Sequence, residues 1–161
     1  MASDRSSSHF EHIRFERLEG DLLLVTIDRV DSDINAVDEQ LHSELTRLMA
    51  VLKLEREARC IVLTGSGRAF SAGGDFSWFP ELQKPGRLEA LRQEAKNLIW
   101  DLLDIQVPVV AAVNGHAMGL GASIALLCDI IFVAESAKIG DPHVKAGIVA
   151  GDGGTIIWPL A

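Results

Sequence analysis

Short apolar runs alternate with longer amphipathic segments along the chain. Two apolar runs at 13–18 and 22–27, separated by Glu19-Gly20-Asp21, predict a β-hairpin. Three later runs have strand length and β-branched composition, and we expect them to form buried strands of a parallel sheet at 60–64, 109–113 and 130–134.

The segments between these strands carry apolar residues at helical spacing. Leu41, Leu45, Leu48 and Leu52 would share one face of an amphipathic helix over 37–56. Further helices are predicted over 88–103 and 120–128, whereas the prolines and aromatic residues of 76–87 indicate a loop or broken helix. Alternating strands and helices imply right-handed βαβ crossovers, so the sequence predicts an α/β fold.

The domain organisation follows from length and from the two ends. The 161 residues suffice for one domain, which we place at 13–161, after a flexible polar tail at 1–12. Residues 155–161 are apolar, which indicates a chain cut inside a larger domain or an end that needs a partner surface. No apolar stretch approaches the ~20 residues of a membrane span, and the N-terminus lacks the apolar core of a secretion signal.

Composition and charge narrow the function classes. The net charge of −8 argues against a nucleic-acid partner, because phosphate backbones attract basic surfaces. Cys60 and Cys128 lie in apolar runs without metal-ligand spacing, which predicts buried free thiols in a reducing compartment rather than a disulfide. We therefore expect a cytoplasmic protein without a metal site, and neither a membrane nor a nucleic acid as partner.

Two glycine-rich segments, 69–75 and 114–122, each follow an apolar run. Glycine allows unusual φ angles and a close approach of backbone N–H groups to a ligand. Two such turns can aim two donors at one oxygen atom, as in an oxyanion hole. The alternative for Gly119 and Gly121 is tight packing of a helix on the sheet. A dinucleotide fingerprint fails because Ile124 stands at its third glycine position, and the Gly-Lys-Ser/Thr of a P-loop is absent.

Four segments in order, 60–75, 110–122, 128–134 and 147–155, resemble signature regions of the enoyl-CoA hydratase/isomerase (crotonase) superfamily. Asn35-Ala36 continues the resemblance, which covers roughly 15–158. It implies a ClpP/crotonase-like ββα superhelix, here lacking the C-terminal helical part. It also implies a homotrimer or dimer of trimers, and an acyl-CoA thioester substrate whose coenzyme A is part of the substrate rather than a cofactor.

The resemblance also assigns site residues. It places the oxyanion hole at the backbone N–H groups of Gly74 and Leu120, and the substrate beside Ala72, Gly73, Gly119 and Trp78. The two glutamates of the family's hydratases fall on Ser123 and His143, so neither carboxylate is present. Asp75 is expected to orient its own turn and His116 to be structural.

His143 and Asp152 are the remaining acid/base candidates, because a histidine titrates near neutral pH and Asp152 stands between two glycines. A surface position for His143 and capping of the next helix by Asp152 are the alternatives. The resemblance implies enolate chemistry, as hydration of a 2-enoyl-CoA or as double-bond isomerisation. A non-catalytic acyl-CoA-binding homologue and a hydrolytic Ser123–His143 pair are the rival functions.

Overall fold

The computed structural model describes residues 10–161. Its strands are β1 (Ile13–Leu18), β2 (Leu22–Ile27), β3 (Ala36–Val37), β4 (Cys60–Gly65), β5 (Ala69–Ser71), β6 (Gly73–Gly74), β7 (Val109–Val113), β8 (His116–Met118), β9 (Ile130–Val133) and β10 (Ile139–Gly140). Its α-helices are α1 (Glu39–Leu52), α2 (Arg87–Leu103), α3 (Leu120–Leu126) and α4 (Gly154–Leu160). Two 3₁₀ helices span Phe79–Gln83 and His143–Ala146.

The main sheet has five strands in the order β1-β2-β4-β7-β9. The predicted hairpin is confirmed, with β1 antiparallel to β2 and Leu18 opposite Leu22. All other neighbours in this sheet are parallel, as the apolar runs predicted. Helices α1 and α2 pack against each other, and the predicted apolar face of α1 lies in the core together with Leu98 of α2.

The first helix is shorter at both ends than the predicted span of 37–56. Val37 belongs to β3 instead, and Asp38 is the N-cap, whose Oδ1 accepts the Leu41 N–H at 2.9 Å. At the other end the helix stops at Leu52, before the charged stretch that follows it. The prediction was therefore wrong in its boundaries, because apolar spacing does not reveal a cap or a two-residue strand.

Several smaller expectations are corrected as well. The predicted helix over 120–128 ends at Leu126, and the apolar residues 154–160 form helix α4 despite Pro159. Cys60 is only half-buried, because strand alternation turns it to the other face of β4, whereas Cys128 is buried.

Two further expectations concern the N-terminal tail and the absence of a membrane-spanning segment. Most of the predicted N-terminal tail, residues 1–9, lies outside the described part of the chain. His12 also belongs to the predicted tail, but it is buried, and its backbone N–H donates to the Glu44 carboxylate at 2.9 Å. Within residues 10–161 no helix combines the length and apolarity that crossing a membrane requires.

Two small sheets lie next to the main one and contain both glycine-rich segments. One has the order β10-β8-β5 and the other pairs β3 with β6, and all of these strands run parallel. Their pairs bring together four chain segments that are apart in sequence, at 36–37, 69–74, 116–118 and 139–140. These sheets position the candidate site.

Candidate active site

The two glycine-rich turns touch each other backbone to backbone. Gly73 follows β5 and Gly119 follows β8, and β5 and β8 are paired, with Ser71 opposite Ala117. A Cβ atom on Gly73 would lie 2.7 Å from the Met118 carbonyl oxygen and 3.6 Å from Gly119 Cα. Both glycines have positive φ angles, +78° and +50°. A side chain on Gly73 would separate the turns, and one on Gly119 would press on the His143 ring.

The amides that follow these glycines belong to Gly74 and Leu120. Gly74 lies opposite Val37, and the neighbouring Asp75 N–H donates to the Val37 carbonyl at 2.8 Å. Amides bonded to one neighbour alternate along a parallel strand, so the Gly74 N–H points away from β3. Leu120 is the first residue of α3, where an N–H has no acceptor within the helix. Two donors thus follow directly on two glycines that are in contact.

Asn35 holds the strand that leads into the first turn. The side chain is fully buried, and its Nδ2 donates to the carbonyls of Ser66 and Ala69 at 3.0 and 3.1 Å. Its Oδ1 accepts the Arg29 N–H at 3.0 Å. The residue has φ +49°, which asparagine tolerates better than most side chains. This one amide therefore ties together three segments around β5.

Arg29 fixes the turn on the far side of Gly74. Its guanidinium binds the carboxylates of Asp75 at 2.8 Å and Asp38 at 2.9 Å. Asp75 also accepts hydrogen bonds from the Ser77 N–H at 3.0 Å and the Ser77 hydroxyl at 2.7 Å. Arg29, and after it Ser77, lower the pKa of Asp75, so this carboxylate stays ionised. The prediction that Asp75 orients its own turn is confirmed.

His143 lies against the second turn. A Cβ atom on Gly119 would be 3.3 Å from Cε1 and 3.7 Å from Nε2 of its ring. His143 Nδ1 contacts the Asp141 carboxylate, and Nε2 lies 3.5 Å from Oδ2 of Asp152. The structure thus brings both acid/base candidates together, next to the glycine that precedes Leu120.

Asp152 is a buried carboxyl group. Its side chain is 11% exposed, and its Oδ1 has no hydrogen-bond partner among the described residues. Burial raises the pKa of Asp152, and the nearby His143 opposes the shift. The N-cap of α4 is Gly153, so Asp152 lies one residue before the cap position, and the backbone N–H of Gly154 opposes the rise in its pKa. Capping by Asp152 stays a prediction.

The comparisons with known proteins decide the family. A family model described as enoyl-CoA hydratase/isomerase matches residues 17–161. The chain belongs to the enoyl-CoA hydratase/isomerase family. A probable mitochondrial enoyl-CoA hydratase of Dictyostelium discoideum is 37% identical over 132 residues, which are 82% of this chain and 46% of that protein. A probable enoyl-CoA hydratase of Rhodobacter capsulatus is 39% identical over 91% of this chain and 55% of that protein.

Solved structures of the family share the fold. An enoyl-CoA hydratase/isomerase from Mycobacterium paratuberculosis superimposes with a TM-score of 0.84 at 44% identity. The match covers 92% of this chain and 59% of the other. The expected crotonase-like α/β fold is thereby confirmed, and the chain spans about half the length of the curated relatives it matches.

Ser123 stands where the resemblance places one glutamate of the family's hydratases. It lies on the same face of α3 as Gly119, whose carbonyl accepts the Ser123 N–H at 2.9 Å. Its side chain is 1% exposed, and its hydroxyl has no hydrogen-bond partner among residues 10–161. A hydroxyl without an adjacent base is a weak nucleophile, so the geometry does not support the hydrolytic pair with His143.

Two ionisable residues near the site are absent from the sequence-based candidates. His42 of α1 is buried, and its Nδ1 lies 3.1 Å from Oε2 of Glu94 on α2. Burial lowers the pKa of His42, while the charges of Glu94 and Asp152 oppose this shift. In the sequence, His42 is marked only by its position beside Leu41 on the apolar face of α1. Its partner Glu94 lies on another helix, so the pair could not be recognised from spacing.

The remaining candidates surround the first turn. The Trp78 ring lies 5.8 Å from the His42 ring, and its buried indole N–H has no partner among the described residues. A cavity of about 400 Å³ opens beside Ala72 and is also lined by Arg68, His116 and Met118. The His116 Nδ1 accepts the Lys138 N–H at 3.1 Å, which supports its predicted structural role.

Proposed function

We propose that this chain binds an acyl-CoA thioester and stabilises its enolate with the backbone N–H groups of Gly74 and Leu120. The observation that supports this proposal is the close approach of Gly73 to Gly119, the two glycines that directly precede these amides. Such a pair would receive the thioester oxygen as it gains negative charge. Each preorganised donor contributes about 3–4 kcal/mol to a transition state of this kind.

His143 and Asp152 carry the proton transfers in this proposal. His143 Nε2 takes a proton from C2 of a 3-enoyl thioester, and the electron pair of that C–H bond moves to the thioester oxygen. Return of the proton to C4 gives the 2-enoyl isomer and restores the imidazole. Asp152 supports this exchange as a second carboxyl group beside Nε2, and burial raises its pKa.

Hydration is the second reaction that the same groups allow. A base takes a proton from water while the hydroxide adds to C3 of a 2-enoyl thioester, and the resulting enolate is protonated at C2. The glutamate position at Ser123 offers no titratable group for that water. The proposal therefore favours proton transfer at C2 and C4 over hydration.

The cavity beside Ala72 is where we place the coenzyme A portion. Arg68 at its edge has an exposed guanidinium, paired with Asp33 at the surface. A phosphate group can compete for such a cation. We assign Trp78 to the acyl side of the thioester, because it lies outside this cavity and beside His42.

The test is deuterium exchange in D₂O with 2-enoyl, 3-enoyl and 3-hydroxyacyl-CoA thioesters, read by mass spectrometry. We expect deuterium uptake or isomerisation by the wild-type chain and at least about 100-fold slower exchange in His143→Ala. Gln93→Ala is the control, because Gln93 is exposed on α2 and lines neither the two turns nor the cavity beside Ala72.

Three other outcomes discriminate the alternatives. Thioester binding by calorimetry without any exchange would identify a non-catalytic acyl-CoA-binding homologue. Full exchange in both His143→Ala and Asp152→Asn would disprove the assigned acid/base residues. Labelling of Ser123 by a serine-directed phosphonate would establish the hydrolytic alternative. The cytoplasmic location stays a prediction.

A further inference from the structure

We propose that Asp141 is a positioning residue that holds the His143 imidazole with its proton on Nδ1 and its lone pair on Nε2. The consequence for catalysis rests on the proposed function, but the proton position itself is a property of the free protein. Asp141 belongs to neither the glycine-rich turns nor the acid/base pair already assigned.

The sheet fixes Asp141 relative to the oxyanion turn. Strands β8 and β10 are parallel neighbours, with Met118 opposite Gly140. The residues that follow them are Gly119 and Asp141, and the Gly119 N–H donates to the Gly140 carbonyl at 3.0 Å. Asp141 therefore leaves the sheet directly beside the glycine against which His143 packs.

The Asp141 carboxylate meets His143 at two atoms. Its Oδ1 accepts the His143 backbone N–H at 3.0 Å and also contacts ring Nδ1. Its Oδ2 lies against Gly154 at the start of α4, so close that a Cβ atom there would collide with it. The carboxylate is thus held between two loops, and an acceptor held at Nδ1 keeps the ring proton there.

The opposite tautomer has a poorer partner. With its proton on Nε2, His143 would have to donate to Asp152 across 3.5 Å, which is beyond the usual length of a hydrogen bond. Nε2 is also the ring nitrogen on the Gly119 side, whereas Nδ1 is held by Asp141. A lone pair on Nε2 can accept a substrate proton, and the carboxylate then stabilises the imidazolium that forms.

Nitrogen-15 NMR of the histidine side chains tests the proposal without any substrate. Long-range proton–nitrogen spectra distinguish a protonated ring nitrogen from one with a lone pair. We expect neutral His143 to be protonated at Nδ1. His116 is an internal control in the same spectrum, since its Nδ1 accepts the Lys138 N–H and its proton must lie on Nε2.

Two variants separate positioning from a general structural effect. Asp141→Ala removes the acceptor, so His143 should become a mixture of tautomers while His116 stays unchanged. Asp141→Asn keeps an oxygen at the same place and should restore the Nδ1 proton. If Asp141→Ala fails to fold, as shifted His116 signals would reveal, Asp141→Ser and Asp141→Asn provide the same comparison.

Turnover gives the second readout. In the exchange assay, Asp141→Ala should lower kcat by roughly 10- to 100-fold, with a much smaller change in KM. A wild-type His143 protonated at Nε2, or nitrogen signals unchanged in Asp141→Ala, would overturn the proposal. Unchanged kcat in Asp141→Ala, while His143→Ala is inactive, would overturn it too. If no thioester reacts, the proposed function fails, but the NMR result still decides where the proton lies.

Discussion

At the scale of single residues, the candidate site depends on positions where only a few side chains fit. Gly73 has both a positive φ angle and backbone atoms within van der Waals distance of its missing Cβ. Asp152 is the opposite case, a polar group in a buried place where its charge is unfavourable. A substitution at either residue should therefore change the free energy of unfolding by a measurable amount.

Gly73→Ala tests the close contact of the two turns. The new Cβ would lie 2.7 Å from the Met118 carbonyl oxygen, which belongs to the backbone and cannot swing away. Gly20→Ala is the control, because Gly20 has φ +79° and nothing within 4 Å of its Cβ position. We expect Gly73→Ala to lower the free energy of unfolding by about 2 kcal/mol more than the control, measured by urea denaturation. Equal losses in the two variants would show that the turns have room.

Asp152→Asn tests the buried carboxyl group. Burial raises its pKa in the folded state, so the folded protein binds this proton more tightly than the unfolded chain. The carboxyl group therefore costs stability as the pH rises above the unfolded-state pKa of 3.8. We expect the variant to be more stable than wild type at pH 7 by on the order of 1 kcal/mol, with the difference vanishing toward pH 3.5.

Thermal unfolding across this pH range measures the difference. Asp31→Asn, at an exposed position, controls for the loss of one negative charge. A wild-type protein that is the more stable of the two at pH 7 would contradict the prediction.

At the scale of elements, short strands and side-chain amides position the site. Strands β3 and β6 have two residues each, too few to be stable by themselves. They are held from outside, by Asn35 on one side and by Arg29 on the other. The turns therefore depend on contacts between elements rather than on their local sequences.

Asn35→Ala tests this dependence. The change leaves buried carbonyl groups of the segment around β5 without a donor, and unpaired buried groups cost about 1–3 kcal/mol. We expect a loss of at least about 2 kcal/mol in urea denaturation. Asn97→Ala is the control, because Asn97 lies on the exposed surface of α2. A loss no greater than that of Asn97→Ala would contradict the role given to Asn35.

At the scale of the whole molecule, the chain leaves apolar surface uncovered. Phe132 and Ile130 on the edge strand β9 are 67% and 51% exposed. Association of several copies can bury surface of this kind. The homotrimer implied by the family resemblance remains a prediction.

Light scattering coupled to gel filtration measures the association state. We expect a molar mass three times that of the 17.5 kDa chain, or six times for a dimer of trimers. The same mass at 0.15 and 1 M salt would indicate an interface held by apolar contacts, since salt screens ion pairs. A single-chain mass at micromolar concentration would contradict the prediction.

The sequence by itself determined the elements whose signal is local. Strands β1, β2 and β7 match the predicted boundaries, because turn residues and a proline mark their ends. The apolar face of α1 and the two glycine-rich segments were also visible, since periodicity and glycine content are properties of neighbouring residues. Ordered motifs then indicated the family.

Only the tertiary structure decided how distant residues meet. Strands of two or three residues have no period to detect, so the pairing of β5 with β8 could not be predicted. The contact of His143 with Gly119, 24 residues apart, depends on β10 lying beside β8. His42 and Glu94 are 52 positions apart and meet only because α1 packs on α2. Sequence patterns indicate the secondary structure that each segment favours. The chemistry of this site depends on burial and on contacts between segments, which only the tertiary structure shows.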